Sequence, residues 1–172
     1  MLTLLIPIGG PGAGKTTLGN NLCNLDLFNL DLCNLDLCNL NTIIFDKVFI
    51  TCRDDLYAKC KKNNIDWSQR KIRRFLFDKF VEFRESVASW RRENPEDSVI
   101  VYLDSSNAQR GGRKYIIDEF LPDKVVFINM RRNYETLLKR SAFERVGQPT
   151  FPLERDKQEG VIKKILEGLE FA

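Results

Sequence analysis

An apolar segment near the start of the chain runs directly into a glycine-rich turn. Residues 2–8, LTLLIPI, have the length and composition of a strand buried on both faces. The sequence GGPGAGKT follows at residues 9–16, and helix-forming residues that include Leu18 and Leu22 come next. This order predicts a strand, a tight loop and a helix that begins at Thr16–Thr17. Such a unit belongs in a parallel α/β sheet, so it leaves few alternatives for the fold.

The loop matches the whole pattern GxxxxGK[ST] of a phosphate-binding P-loop. Glycines let backbone N–H groups turn towards phosphate oxygens, and the helix amino terminus adds partial positive charge. Lys15 is predicted to reach the β- and γ-phosphates of ATP, and Thr16 to place a hydroxyl on Mg²⁺. The predicted nucleotide-binding residues are Gly9, Gly10, Pro11, Gly12, Ala13, Gly14, Lys15, Thr16 and Thr17.

Strand and helix patterns alternate over the rest of the chain. Further strands are predicted at residues 98–103 and 124–130. Helices are predicted from a cap at Asp66 or Ser68 to just before Asn94, over residues 113–120, from Asn133 to Arg145, and after Pro152. The alternation predicts a three-layer α/β P-loop NTPase fold. Its parallel sheet has about four to five strands flanked by helices, in a single domain that covers residues 1–172.

Residues 21–40 are four copies of a pentad: NLCNL, DLFNL, DLCNL and DLCNL. Their leucines alternate at spacings of two and three, which keeps them on one face of neither a helix nor a strand. Four pentads would make only about one coil of a β-helix, and one coil cannot bury its own core. We interpret the tract as an insertion at about residues 21–41, with a partner-docking surface as the alternative.

Asp104 ends the predicted third strand, on the side of the sheet where ligands bind. It is the candidate second ligand of Mg²⁺, and a loop-capping aspartate is the alternative. Ser105 and Ser106 follow it, in place of the second acid that would orient a water molecule in a motor-type ATPase. This favours a kinase. The chain has no histidine, so a general base must be Asp, Glu, Lys or Tyr.

The pentad tract obscures the second strand, and with it the candidate base. Residues 42–45, TIIF, predict a strand that ends at Asp46. The competing interpretation is a strand over residues 47–52, followed by Asp54. Asp46 lies 31 positions after Lys15 and Asp54 lies 39 after it, whereas a helix, a loop and a strand need roughly 20 to 25. Asp46 implies the smaller insertion and is narrowly favoured as the base.

Arginines follow the predicted third and fourth strands. Arg140 and Arg145 are candidates to stabilise the transferring phosphoryl group, with surface arginines as the alternative. Residues 146–150, VGQPT, suit a mobile lid. Just beyond Asp104, the residues predicted to bind the acceptor are Asn107, Arg110 and Arg113.

Composition narrows the class of protein. No apolar run reaches the roughly 18 residues that span a membrane, and residues 1–8 lack the basic region and cleavage site of a signal peptide. Five cysteines without a CxxC pair favour reduced thiols in a cytoplasmic protein over a zinc site. The net charge is +3, and basic residues are densest over 59–74. That stretch predicts either contact with a phosphate backbone or a solvated helix face.

Together these features resemble compact P-loop kinases, the group of the polynucleotide 5′-hydroxyl kinases and the phosphoseryl-tRNA kinases. Residues 53–57, RDDLY, are similar to the polynucleotide kinase segment that carries the base, except that Tyr57 replaces an arginine. Residues 45–48, FDKV, with Trp67, look more like the tRNA kinases. Residues 105–107, SSN, with Arg113, are similar to the substrate motif of both, with one extra residue after Asp104. Residues 138–140, LKR, are similar to their lid arginine.

The resemblance implies a kinase that transfers the γ-phosphoryl of ATP, with Mg²⁺, to a hydroxyl group on RNA or DNA. Two alternatives remain from sequence. One is a kinase for a nucleoside, nucleotide or sugar. The other is a tRNA-linked ATPase that acts as a switch or adaptor.

Overall fold

The computed structural model describes residues 1–23, 45–63, 67–138, 140 and 155–170. Its strands are β1 (Leu2–Ile8), β2 (Lys47–Cys52), β3 (Val99–Asp104) and β4 (Lys124–Asn129). Its helices are α1 (Lys15–Cys23), α2 (Arg53–Asn63), α3 (Gln69–Glu93), α4 (Arg110–Phe120), α5 (Tyr134–Leu138) and α6 (Arg155–Glu167). Several predictions fall outside the described residues: the pentad tract, most of the 42–45 strand, the Asp66 cap, Arg145, the 146–150 segment and Pro152.

The four described strands form one parallel sheet in the order β2-β3-β1-β4. β1 lies between β3 and β4, and all seven of its residues are buried, as its uninterrupted apolar sequence predicts. The strands run in one direction, so their carboxyl ends share one edge of the sheet. The P-loop after β1 and Asp104 at the end of β3 therefore lie on that edge.

Helices cover both faces of the sheet, which completes three layers. On one face, Leu18 and Leu22 of α1 pack with Leu5 and Tyr102 of the strands. On the other face, the aromatic side of α3 and the end of α4 pack on Leu4, Ile6 and their neighbours; this layer includes Phe83, Val87, Trp90 and Phe120. The predicted fold class is confirmed.

β1 and β3 separate near their carboxyl ends, where Pro7 has no N–H to donate. Their register pairs end at Leu5 opposite Tyr102, whereas β1 stays paired with β4 as far as Ile8 opposite Asn129. The side-chain amide of Asn107 enters the gap and donates to the Pro7 and Leu103 carbonyl oxygens, at 2.8 and 3.0 Å. These bonds replace ladder hydrogen bonds that the diverging strands no longer make.

The preference for a second strand over residues 42–45 that ends at Asp46 is wrong for the described part. Phe45 and Asp46 precede β2, and the strand is the competing one, Lys47–Cys52. Asp46 ties the amino ends of two strands together, because its Oδ2 accepts the Ser98 N–H at 2.8 Å. Apolar residues recur at helical spacing in this part of the sequence, which alone would predict one helix. The first three of them belong to β2 and the last two to α2: Val48, Phe49, Cys52, Leu56 and Cys60.

The caps of the long helix follow the sequence. Ser68 is its N-cap, and its side chain accepts the Lys71 N–H at 3.4 Å. The helix ends at Glu93, before Asn94, as predicted. None of the helices in the described part of the chain is long and apolar enough to cross a membrane.

Candidate nucleotide and acceptor site

The P-loop turns at glycines, as its sequence predicts. Gly12 and Gly14 have φ angles of 77° and 99°, which L-residues rarely adopt. The Lys15 ammonium is folded over the loop and donates to the Gly9 and Gly10 carbonyl oxygens, at 3.1 and 2.8 Å. A cation held against these carbonyls lies where the backbone amides of the loop can bind phosphate.

Thr16 and Asp104 meet at the carboxyl edge of the sheet. The Thr16 hydroxyl donates to Asp104 Oδ2 at 2.6 Å, across 88 positions of sequence. Asp104 is 5% exposed, so this carboxylate is held in place by the protein. A hydroxyl and a carboxylate are the hard oxygen ligands that Mg²⁺ prefers, and Mg²⁺ commonly takes only one or two protein ligands beside phosphates and water.

The Cys52 thiol lies beside the same carboxylate, because Cys52 is the register partner of Asp104. Burial and the neighbouring Asp104 charge, which accepts a hydrogen bond from the thiol, raise the pKa of Cys52 to about 12. The thiol therefore stays neutral near pH 7.

Two further predicted residues lie near the P-loop edge. Arg140 Nη1 donates to the Gly12 carbonyl oxygen at 3.4 Å, so the candidate lid cation reaches the loop. Asp54 lies in the first turn of α2, two residues beyond the Cys52–Asp104 pair. Asp46 lies about 20 Å from that edge, at roughly 3.3 Å per strand residue. Of the two candidate bases, only Asp54 lies at the carboxyl edge of the sheet, whereas Asp46, the preferred candidate from sequence, lies at the opposite edge.

The three predicted acceptor-binding residues have different surroundings. Asn107 is 8% exposed and in the left-handed region at φ 45°, with its amide in the gap between β1 and β3. Arg113 is 4% exposed, and its Nη1 donates to the Asn107 and Ala108 carbonyl oxygens at 2.7 and 3.0 Å. Its burial lowers the guanidinium pKa. Arg113 therefore holds the loop from inside instead of facing an acceptor.

Arg110 is exposed and is joined to the C-terminal part of the described chain. Its backbone N–H donates to Glu170 Oε2 at 3.0 Å, and its guanidinium is 3.9 Å from the same oxygen. Glu170 thereby caps α4, whose N-cap Gln109 makes no side-chain cap. Of the three, only Asn107 borders the cavity described next.

A cavity of about 340 Å³ opens beside Asp104, between the ends of β2 and β3 and the helices α2, α3 and α4. Most of its wall is apolar and aromatic. Phe77 and Tyr115 are 47% and 44% exposed there. Two arginines, Arg53 and Arg73, add positive charge to the wall. The cavity suits a ligand that has a planar apolar part and negative charge.

A second cavity, of about 760 Å³, borders the P-loop. It is lined by Gly10, by the segment after β4, and by α5 and α6. Leu166 of α6 packs against the P-loop, since a Cβ on Gly10 would lie 2.9 Å from its Cδ2. The second cavity thus reaches the P-loop, whereas the first reaches Asp104.

No known family model matches the sequence, and no curated protein sequence matches it either. Solved structures do match. One is in the Pnkp1/Rnl/Hen1 RNA repair complex, with a TM-score of 0.54 and 16% sequence identity over 98% of this chain. This chain has a P-loop NTPase fold. It spans only 46% of that RNA repair chain, so it is about half as long.

A looser match is Chaetomium thermophilum Kti12 in complex with ADP-AlF3. The TM-score is 0.44 and the identity 16%, over 99% of this chain and 80% of that one.

P-loop NTPases generally bind nucleotide phosphates together with Mg²⁺. Lys15, Thr16 and Asp104 have the chemistry and placement that this use requires.

Sequence reasoning missed the residues that line the first cavity from α3. Arg73 stands out in the sequence only as part of the basic stretch over residues 59–74, and no motif singles out Phe77. The signal was present: Arg73, Phe77 and Phe80 recur at helical spacing, so they share a face. Only the position of α3 against Asp104 shows that this face borders a site.

Proposed function

We propose that this P-loop NTPase is a kinase that transfers the γ-phosphoryl of ATP to a hydroxyl group on RNA or DNA. The observation that carries the proposal is the 340 Å³ cavity, which shares Asp104 with the P-loop edge and has aromatic and arginine side chains in its wall. A P-loop protein that only hydrolysed nucleotide would have no use for an aromatic-walled cavity beside the carboxylate that is proposed to hold Mg²⁺.

In this proposal the nucleotide donor and the acceptor bind in different cavities. The P-loop amides and Lys15 bind the phosphates of the donor, whose base lies in the cavity beside α6. Thr16 and Asp104 hold Mg²⁺, which neutralises phosphate charge when it is bound. Arg140 approaches the P-loop at Gly12 and stabilises charge on the transferring group.

The acceptor occupies the cavity beside Asp104. Its hydroxyl oxygen forms a bond to the γ-phosphorus, the bond to the bridging oxygen breaks, and ADP leaves. Asp54 takes the hydroxyl proton, since the first turn of α2 places it on the same edge of the sheet as Asp104. The Phe77 and Tyr115 rings stack on a base, and Arg53 or Arg73 binds a phosphate of the acceptor.

The test is a transfer assay with γ-labelled ATP and Mg²⁺, offered to 5′-hydroxyl oligonucleotides, total tRNA and a nucleoside mixture. The wild type is compared with Lys15→Ala, Asp104→Asn and Asp54→Asn. Asp46→Asn is the matched control, because it removes an equivalent charge about 20 Å from the site and keeps an oxygen for the Ser98 N–H. We expect label on a nucleic acid, with a loss of about 100-fold or more in Asp54→Asn and little change in Asp46→Asn.

Other results would redirect the proposal. Label on free nucleosides alone would retain the kinase and change its acceptor to a small molecule. Bound ATP with no label on any acceptor, and hydrolysis stimulated by tRNA, would replace the kinase with an ATPase switch. Equal losses in Asp46→Asn and Asp54→Asn would remove Asp54 as the base.

A further inference from the structure

One exposed stripe of α3 leads away from the acceptor cavity. Arg70, Arg73 and Phe77 are spaced at i, i+3 and i+7, so they lie along one side of the helix. All three are exposed, and the last two also line the cavity. At 1.5 Å per residue the stripe is roughly 10 Å long.

The charge of this part of α3 has one sign. From Ser68 to Phe77 the chain carries four basic residues and no acidic one. Arg74 is paired with Asp78 at 3.0 Å and also lies 5.9 Å from the Phe77 ring centroid. Among the described residues, Arg70 and Arg73 make no ion pair. Two exposed guanidinium groups therefore face solvent beside a half-exposed aromatic ring.

Two cations in line with an exposed aromatic ring match one partner better than others. A single-stranded nucleic acid presents a phosphate at each nucleotide and an unstacked base that can lie on a ring. An acidic peptide would satisfy the arginines but would leave Phe77 in water. A duplex would offer phosphates and keep its bases within the stack.

We infer that the stripe formed by Arg70, Arg73 and Phe77 binds the acceptor strand next to the nucleotide that is phosphorylated. The inference rests on the proposed function and adds to it: the substrate is single-stranded, and it leaves the cavity along the amino-terminal half of α3. Phe77 stacks on a base at the mouth of the cavity, while Arg73 and then Arg70 contact successive phosphates.

The experiment measures binding without nucleotide, so its outcome does not depend on transfer. A 12-nucleotide uridine oligonucleotide with a free 5′-hydroxyl and a 3′ fluorophore is titrated with protein, and anisotropy is followed from 50 to 300 mM KCl. Variants are Arg70→Ala, Arg73→Ala, Arg73→Lys and Phe77→Ala. Arg92→Ala is the matched control, an exposed arginine at the far end of the same helix.

We expect each Arg→Ala variant on the stripe to flatten the slope of log K against log[KCl] by about 0.7, or about fivefold in affinity near 0.1 M. Arg73→Lys should restore most of the slope, because a phosphate contact needs only the charge. Phe77→Ala should weaken binding at least about fivefold with an unchanged slope. Arg92→Ala should match the wild type.

Several outcomes overturn the inference while leaving the kinase intact. These are no binding at 50 mM KCl, equal effects of Arg92→Ala and Arg73→Ala, or equal binding of a duplex with the same sequence. Competition by polyglutamate as strong as by unlabelled oligonucleotide, with Phe77→Ala silent, would assign the stripe to an acidic peptide. Salt-dependent binding through the stripe with no transfer to any hydroxyl would keep the inference and reject the kinase.

Discussion

Tyr102 joins the sheet to the first turn of the P-loop helix. It is fully buried in β3, and its hydroxyl donates to the Lys15 carbonyl oxygen at 2.7 Å. Lys15 is thus fixed through its backbone as well as through the loop that its ammonium group covers. Burial, with the nearby Asp104 charge, raises the pKa of the Tyr102 phenol well above its usual value.

The raised pKa values of Tyr102 and Cys52 predict a loss of stability at alkaline pH. Both groups release protons more easily in the unfolded chain, where their ordinary pKa values are 10.0 and 9.0. Their contribution is fully present below pH 9 and declines as the pH rises above it. Urea unfolding at pH 8 and pH 10.5 should show this decline in the wild type. Tyr102→Phe should cost about 1 kcal/mol at pH 8 and make the decline shallower. An unchanged decline in Tyr102→Phe would show that the phenol does not contribute to it.

At the level of single residues, the sequence predicted the positions of those site residues that the nearby chain alone fixes. Lys15 and Thr16 are positioned by a loop of nine residues, and Asp104 by the end of its own strand. Asn107 and Arg113 lie in the same region, but the direction of their side chains depends on the gap between β1 and β3. That gap forms between two strands that lie about 100 positions apart in the sequence, so no local sequence pattern predicts it.

The packing of α1 on β3 leaves no room for a side chain at Gly19. A Cβ there would lie 2.9 Å from Tyr102 Cε1 and 3.2 Å from Cδ1, on a buried ring that cannot move aside easily. We expect Gly19→Ala to lower the free energy of unfolding by about 1 to 3 kcal/mol, in spite of alanine's higher helix propensity. Urea unfolding measures the change.

Gly111→Ala is the matched control for that substitution. Gly111 is in the first turn of α4, and a Cβ there would meet nothing within 4 Å. The same change should therefore stabilise the protein, by up to about 1 kcal/mol. If both variants gained stability, the close contact between α1 and Tyr102 would be wrong.

Among the strands and helices, those whose apolar residues follow one unambiguous period were predicted from sequence, and the second strand was not. β1 and α3 have apolar patterns that match one structure only, and their bounds are close to those predicted. The pentad tract lengthens the sequence between α1 and the second strand, so the usual number of residues between them could not locate that strand. Residues 42–45 and residues 47–52 were both candidates for it. Parallel pairing with β3 decides between them, because Cys52 and not Phe45 reaches the level of Asp104.

Because β1 is the central strand, we expect it to be the last part of the molecule to unfold. β1 is paired on both sides and packed on both faces, whereas β4 has one neighbour among the described strands and exposes Phe127 by 39%. Hydrogen exchange followed by mass spectrometry should show the slowest exchange in Leu2–Ile8 and faster exchange in Lys124–Asn129. Exchange in β4 as slow as in β1 would mean that its open edge is covered in solution.

The same strand order also bears on how the chain is made. β1 leaves the ribosome before the other strands, yet its partners begin at Val99 and Lys124. At about 5 to 20 residues per second, roughly 5 to 20 s pass before β3 follows it out. During that time an apolar segment has no native partner, so nascent chains of this protein should depend on chaperones more than a fold built from neighbouring hairpins would.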